Sequence, residues 1–123
     1  MKNRFYLSIF TCFVLIIGCC PVITYAQSPN PAWEEYIGVW EVADSQGKTF
    51  RITLMAGGNA VSDWGTREIG TWKVEGMECI CRLKDGWVDV LVKDELGYYK
   101  LGYEPGKSLS EKPSNRTFAR KLL

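Results

Sequence analysis

The sequence predicts an all-β protein: an antiparallel up-and-down β-barrel of about eight short strands with a short N-terminal helix. Three observations carry that prediction. Residues 49–55 alternate cleanly, with Phe50, Ile52 and Leu54 on one face and Thr49, Arg51 and Thr53 on the other, the pattern of a half-buried strand. Residues 78–84 and 87–93 flank Asp85-Gly86, which reads as a two-residue hairpin loop of the type I′ kind. Turn residues then recur at short intervals between strand-like runs, a spacing that suits a sandwich or barrel rather than βαβ units.

Lys2 and Arg4 precede an apolar run from Phe5 to Ile17, and Thr24-Tyr25-Ala26 supplies small residues at the end. This is the layout of a secretion signal over residues 1–26, and the run is too short for a membrane span of about 20 apolar residues. The expected location is therefore periplasmic or extracellular. Ile16-Ile17-Gly18-Cys19 also has the form of a lipobox, so the alternative is a chain lipid-anchored to a bacterial membrane through Cys19. Pro21 and the Ala26 site favour ordinary cleavage.

Residues 27–36 form a polar leader and a short helix, with Asn30 as N-cap and Pro31 at the first helical position. Residues 37–123 form one domain. Its strands are expected at 37–43, 49–55, 60–64, 69–74, 78–84, 87–93, 98–103 and 116–121. The intervening turns are built on Asp44-Ser45-Gln46-Gly47, Gly57-Gly58-Asn59, Glu75-Gly76 and residues 94–97, and a polar loop spans 104–114. An internal echo adds to this: Ile37-Gly38-Val39-Trp40-Glu41-Val42 returns as Ile69-Gly70-Thr71-Trp72-Lys73-Val74.

These residues carry a resemblance. Gly38-Val39-Trp40 after a short helical turn, the Gly57-Gly58-Asn59 turn, and Gly70-Thr71-Trp72-Lys73-Val74 together resemble small bacterial lipocalin-like domains of the calycin group. The resemblance covers residues 37–103 as a pattern and implies a barrel that binds a small apolar molecule. The chain is shorter than full-size lipocalins, and for their later arginine only Arg116 or Arg120 stands near enough to the C-terminus to pack over Trp40.

Composition excludes several functions. Cleavage after Ala26 removes two of 15 basic residues against 14 acidic ones, so the mature domain is slightly acidic and offers no footprint for nucleic acid. The chain has no histidine, which removes Ser-His-Asp and Cys-His catalysis and the commonest metal ligand. Cys79 and Cys81 cannot by themselves close a zinc site and are expected as small packed apolar residues. No enzyme activity, cofactor or metal is expected.

Alternation groups Val88, Val90 and Val92 on one face of their strand. With the valines as core, Asp89 is expected to be solvated, or paired with a Lys or Arg on a neighbouring strand. The five tryptophans divide by position: Trp40 and Trp72 read as core, whereas Trp64 and Trp87 sit beside glycine turns where a barrel rim falls. Trp64, Trp87 and Tyr98 are the candidate ligand-binding residues. The expected partner is a small apolar molecule. The alternatives are another exported protein, as for a hydrolase inhibitor, or a carbohydrate held by the rim tryptophans.

Overall fold

The computed structural model describes residues 31–123; the expected signal segment, Cys19 and the leader up to residue 30 lie outside the described residues. Helix α1 (Pro31–Tyr36) precedes eight strands: β1 (Gly38–Ala43), β2 (Thr49–Leu54), β3 (Asn59–Ser62), β4 (Glu68–Glu75), β5 (Glu78–Leu83), β6 (Val88–Asp94), β7 (Gly97–Tyr103) and β8 (Asn115–Lys121). Each strand pairs antiparallel with its sequence neighbour, and β8 pairs back onto β1, so the sheet closes. Closure satisfies both edges of the sheet at once. The fold class predicted from the sequence is the one observed.

One turn differs from expectation. The β5–β6 hairpin closes around three residues, 84–86, rather than two: Leu83 N–H donates to the Trp87 carbonyl at 2.9 Å and Gly86 N–H closes on Leu83 O at 3.0 Å. Gly86 completes the turn at φ 100°, and the Asp85 carboxylate accepts from Trp87 N–H at 3.0 Å. Asp85 is thereby spared the left-handed conformation that a type I′ turn would demand of it.

The echo has a steric basis. A Cβ on Gly38 would lie 1.9 Å from the Leu123 carbonyl oxygen, and one on Gly70 would lie 2.1 Å from that of Arg82. In both copies glycine lets a neighbouring backbone approach too closely for any side chain. Two residues on, Trp40 and Trp72 point inward and are buried. Each indole N–H finds a backbone carbonyl, Tyr36 O at 2.9 Å for Trp40 and Met55 O at 2.8 Å for Trp72. A buried indole needs such a partner.

Around these two rings the interior fills with Tyr36, Ile52, Leu54, Cys79, Cys81 and Leu91. Helix α1 plugs this end. Trp33 stacks on Trp72 at 4.2 Å, Tyr36 lies 5.8 Å from Trp40, and Tyr36 Oη donates to Met77 O at 3.0 Å. The side chain over Trp40 is not one of the expected arginines. Lys121 Nζ stands 6.0 Å from the ring centroid and donates to Glu35 O at 2.8 Å. Arg120 faces outward to Glu41, and Arg116 lies 3.6 Å over Tyr99. The parity of β8 decides this, since Ala119 and Lys121 share the inward face.

The valines of β6 face the opposite way from the expectation. Val88 and Val90 join Ile80 and Tyr103 in a second apolar cluster on the outer wall, with Val92, Leu101 and Leu109 packed against it. Leu109 belongs to the 104–114 connection, which folds back over that wall. Asp89 is consequently turned into the barrel, and it is not solvated.

Candidate functional site

Opposite the α1 plug, the barrel opens into a cavity of about 360 Å³, within the range of about 300–1,000 Å³ typical of small-molecule sites. The connections 44–48, 63–67 and 84–87 form its mouth, and β2, β6 and β7 supply its inner wall. Phe50, Leu83, Trp64 and Trp87 give it apolar surface, while Asp89 and Lys100 stand inside it.

The Asp89–Lys100 pair is the main electrostatic feature. Asp89 retains 3% of its exposure and Lys100 1%. Register explains the meeting: Asp89 lies opposite Gly102 and Leu91 opposite Lys100 on adjacent β6 and β7, so the two charges share the inward face one step apart. Lys100 Nζ donates to Ala43 O at 2.6 Å and stands 3.7 Å from Asp89 Oδ1. It also lies 5.2 Å from the Phe50 ring centroid.

Burial penalises both charges. It pushes the Asp89 carboxyl up to about 6, against the pull of Lys100, and lowers the Lys100 ammonium despite the attraction of Asp89. The expected alternative of a lysine partner on a neighbouring strand is thus met, but inside the barrel rather than on its surface.

The two rim tryptophans are held differently. Trp64 is 43% exposed, yet its indole N–H donates to Asp44 Oδ2 at 3.0 Å and its backbone N–H to Ser62 Oγ at 3.2 Å. Asp44 also accepts from the backbone N–H groups of Gln46 and Lys48, both at 2.9 Å. Those donors, Trp64 first, hold the Asp44 carboxyl below its ordinary value. One carboxylate therefore fixes both a turn and a ring. Trp87 is half-buried and packs against the interior cluster.

Trp64 and Trp87, singled out in the sequence, are brought together in this cavity. Tyr98 is not: it lies at the plugged end, edge-on to Trp40 at 4.8 Å and to Tyr36 at 5.9 Å, with its hydroxyl on Glu35. Residues of β7 that face inward lie at different depths, and Tyr98 is nearest the closed end.

Cys79 and Cys81 are free and buried. Burial pushes the Cys79 thiol up to about 12 and Cys81 well above the ordinary thiol value, so neither supplies a thiolate near neutral pH. Asn115 Nδ2 donates to Ser45 Oγ at 2.8 Å, tying β8 to the mouth, while its Oδ1 is buried against Gly102 with no partner.

Local pattern does not single out Lys100, and the valine alternation sets Asp89 on the outer face of the wall where the structure has it on the inner one. A signal was present, since pairing across the β5–β6 hairpin sets Asp89 opposite Cys81 and Cys81 opposite Trp72. Following the tryptophan rather than the valines would have turned Asp89 inward.

The chain matches no protein-family model, no curated protein and no solved structure.

Proposed function

We propose that this chain is an exported small-molecule-binding barrel, not an enzyme, that takes its ligand at the mouth opposite α1. The observation that carries the reading is the cavity of about 360 Å³ with Trp64 and Trp87 at its rim and a buried ion pair inside. Export rests on the signal pattern of residues 1–26, with lipid anchoring at Cys19 as its variant. A purely hydrocarbon ligand fits less well than the family resemblance implies. It would cover Asp89 and Lys100 without offering either a hydrogen bond, and unmet buried polar groups are costly. A ligand with both apolar and polar surface suits the mouth better.

Native mass spectrometry of the protein purified from its own cell tests this directly. A retained small molecule, displaced in Trp87→Ala, is expected. A stoichiometric protein partner with an empty cavity would replace this reading with the second one, a protein-binding module. That second reading draws on Met77 and Leu96, which are 65% and 97% exposed on hairpins at the plugged end.

A further inference from the structure

Building on the small-molecule reading above, we infer that the mouth takes a neutral, hydroxyl-rich ring, a monosaccharide or a sugar of similar size. Asp89 and Lys100 already neutralise each other inside the cavity. An anionic ligand would draw Lys100 away and strand Asp89, and a cationic one would do the reverse. Leaving one member of a buried pair uncompensated is heavily unfavourable. A neutral ligand disturbs neither.

The 3.7 Å between Lys100 Nζ and Asp89 Oδ1 is too long for a direct hydrogen bond and is the kind of gap that an intervening oxygen bridges. A hydroxyl both accepts and donates, so one sugar O–H accepts from Lys100 and donates to Asp89 together. A carboxylate, an ammonium or a methylene group provides at most one half of that exchange.

A pyranose ring presents C–H groups on its faces and hydroxyls at its edge. Trp64 has already committed its N–H to Asp44, so it offers the ligand ring surface and no donor. Phe50, Leu83 and Trp87 extend that apolar surface toward the polar pair. The ion pair receives the hydroxyl edge, and the aromatic rim receives the face.

The experiment is an NMR titration of the ¹⁵N-labelled full-length protein. The neutral probes are D-glucose, D-galactose and maltose; the charged ones are glucuronate and glucosamine, and toluene is the hydrocarbon probe. At least one neutral sugar should shift the indole signals of Trp64 and Trp87 and the amide of Lys100 saturably. It should bind roughly ten-fold or more tightly than either charged sugar. Trp87→Ala and Trp64→Ala, neither of them a buried core residue, should each weaken that binding, Trp87→Ala by roughly ten-fold or more as befits an aromatic anchor.

Tighter binding of toluene or of a charged sugar at the same signals overturns the sugar assignment and leaves the small-molecule reading standing. Silence of the cavity signals toward every probe at millimolar concentration also overturns it. The broader reading is then decided separately by whatever mass the native protein retains.

Discussion

At the α1 end of the barrel, Trp33, Tyr36 and Tyr98 pack against Trp72 and Trp40, and Lys121 and Lys93 hold Glu35 of the plug. At the other end no helix is present among the described residues, the turns stand apart around a cavity, and Asp89 and Lys100 stand inside it. The same strands build both ends. Their difference shows how a small barrel divides its labour: large aromatic rings concentrate burial at one end, and this leaves the other free to keep a buried ion pair. Each large ring buries on the order of 150–250 Å², so a few of them supply much of the core of a domain this size.

That division can be broken first at the plugged end. Trp40→Ala and Trp72→Ala should each cost about 3–5 kcal/mol in urea or thermal unfolding, the usual loss for a large buried aromatic. Against the ~5–15 kcal/mol that typically holds a domain together, either variant should be marginal. A loss below about 1 kcal/mol for both would show that the burial does not reside where the rings are.

At the mouth, Lys100→Met should cost about 3 kcal/mol, toward the low side for a broken buried pair, because Asp89 can escape by taking up a proton. Changing both partners, Lys100→Met with Asp89→Leu, should recover most of that stability, since apolar replacement of a whole buried pair is often neutral or better. The double variant should at the same time lose ligand binding. Equal damage from the single and the double variant would instead make the pair a structural element of the mouth.

The pH dependence sharpens the contrast. The folded Asp89 carboxyl titrates near 6, above the ordinary 3.8, so between those values the folded chain holds a proton that the unfolded chain has lost. Stability should therefore rise as pH falls from about 6.5 toward about 4, by on the order of 1–3 kcal/mol. Glu35 at the plugged end behaves oppositely. Its hydrogen bonds from Tyr98 and Lys93 hold it below its ordinary value, so its contribution is lost only at lower pH. Chemical denaturation across this range, with Asp89→Asn as the flat reference, separates the two; a wild-type profile as flat as the variant's would exclude the buried titration.

The smallest effects belong to the rim. Trp87→Ala should cost about 1 kcal/mol, and Trp64→Ala about 0.5 kcal/mol or less, as for a surface residue. A melting temperature for Trp64→Ala as low as that of Trp40→Ala would mean that the rim is part of the core after all.

Much of this architecture was legible in the sequence. The eight strands could be read because Phe50, Ile52 and Leu54 alternate and because glycine and aspartate punctuate the turns, features that depend only on local chain geometry. The rim position of Trp64 and Trp87 could be read for the same reason. What could not be read directly was which face of β6 looks inward, since both carry apolar residues. The 104–114 connection lays Leu109 over Val88 and Val90, giving the outer wall a core-like face that alternation cannot distinguish from the interior. Lys100 was hidden by the same cause, and Tyr98 by its depth along β7, which local pattern does not encode.

The closing contact between β1 and β8 bears on how the chain reaches this state. Trp40 pairs with Lys121 and Val42 with Ala119, partners at opposite ends of the described sequence, whereas every other strand pair joins neighbours. Hairpins between neighbours need only short loops to form, but the seam must recruit the whole length of the domain, and such non-local contacts slow folding. During synthesis the seam cannot form until the last strand has emerged from the ribosome. Until then β1 and β7 present two open edges, the surfaces most prone to pair with another copy. A chain stopped before Asn115 would keep those edges permanently, and aggregation rather than a smaller barrel is its expected fate.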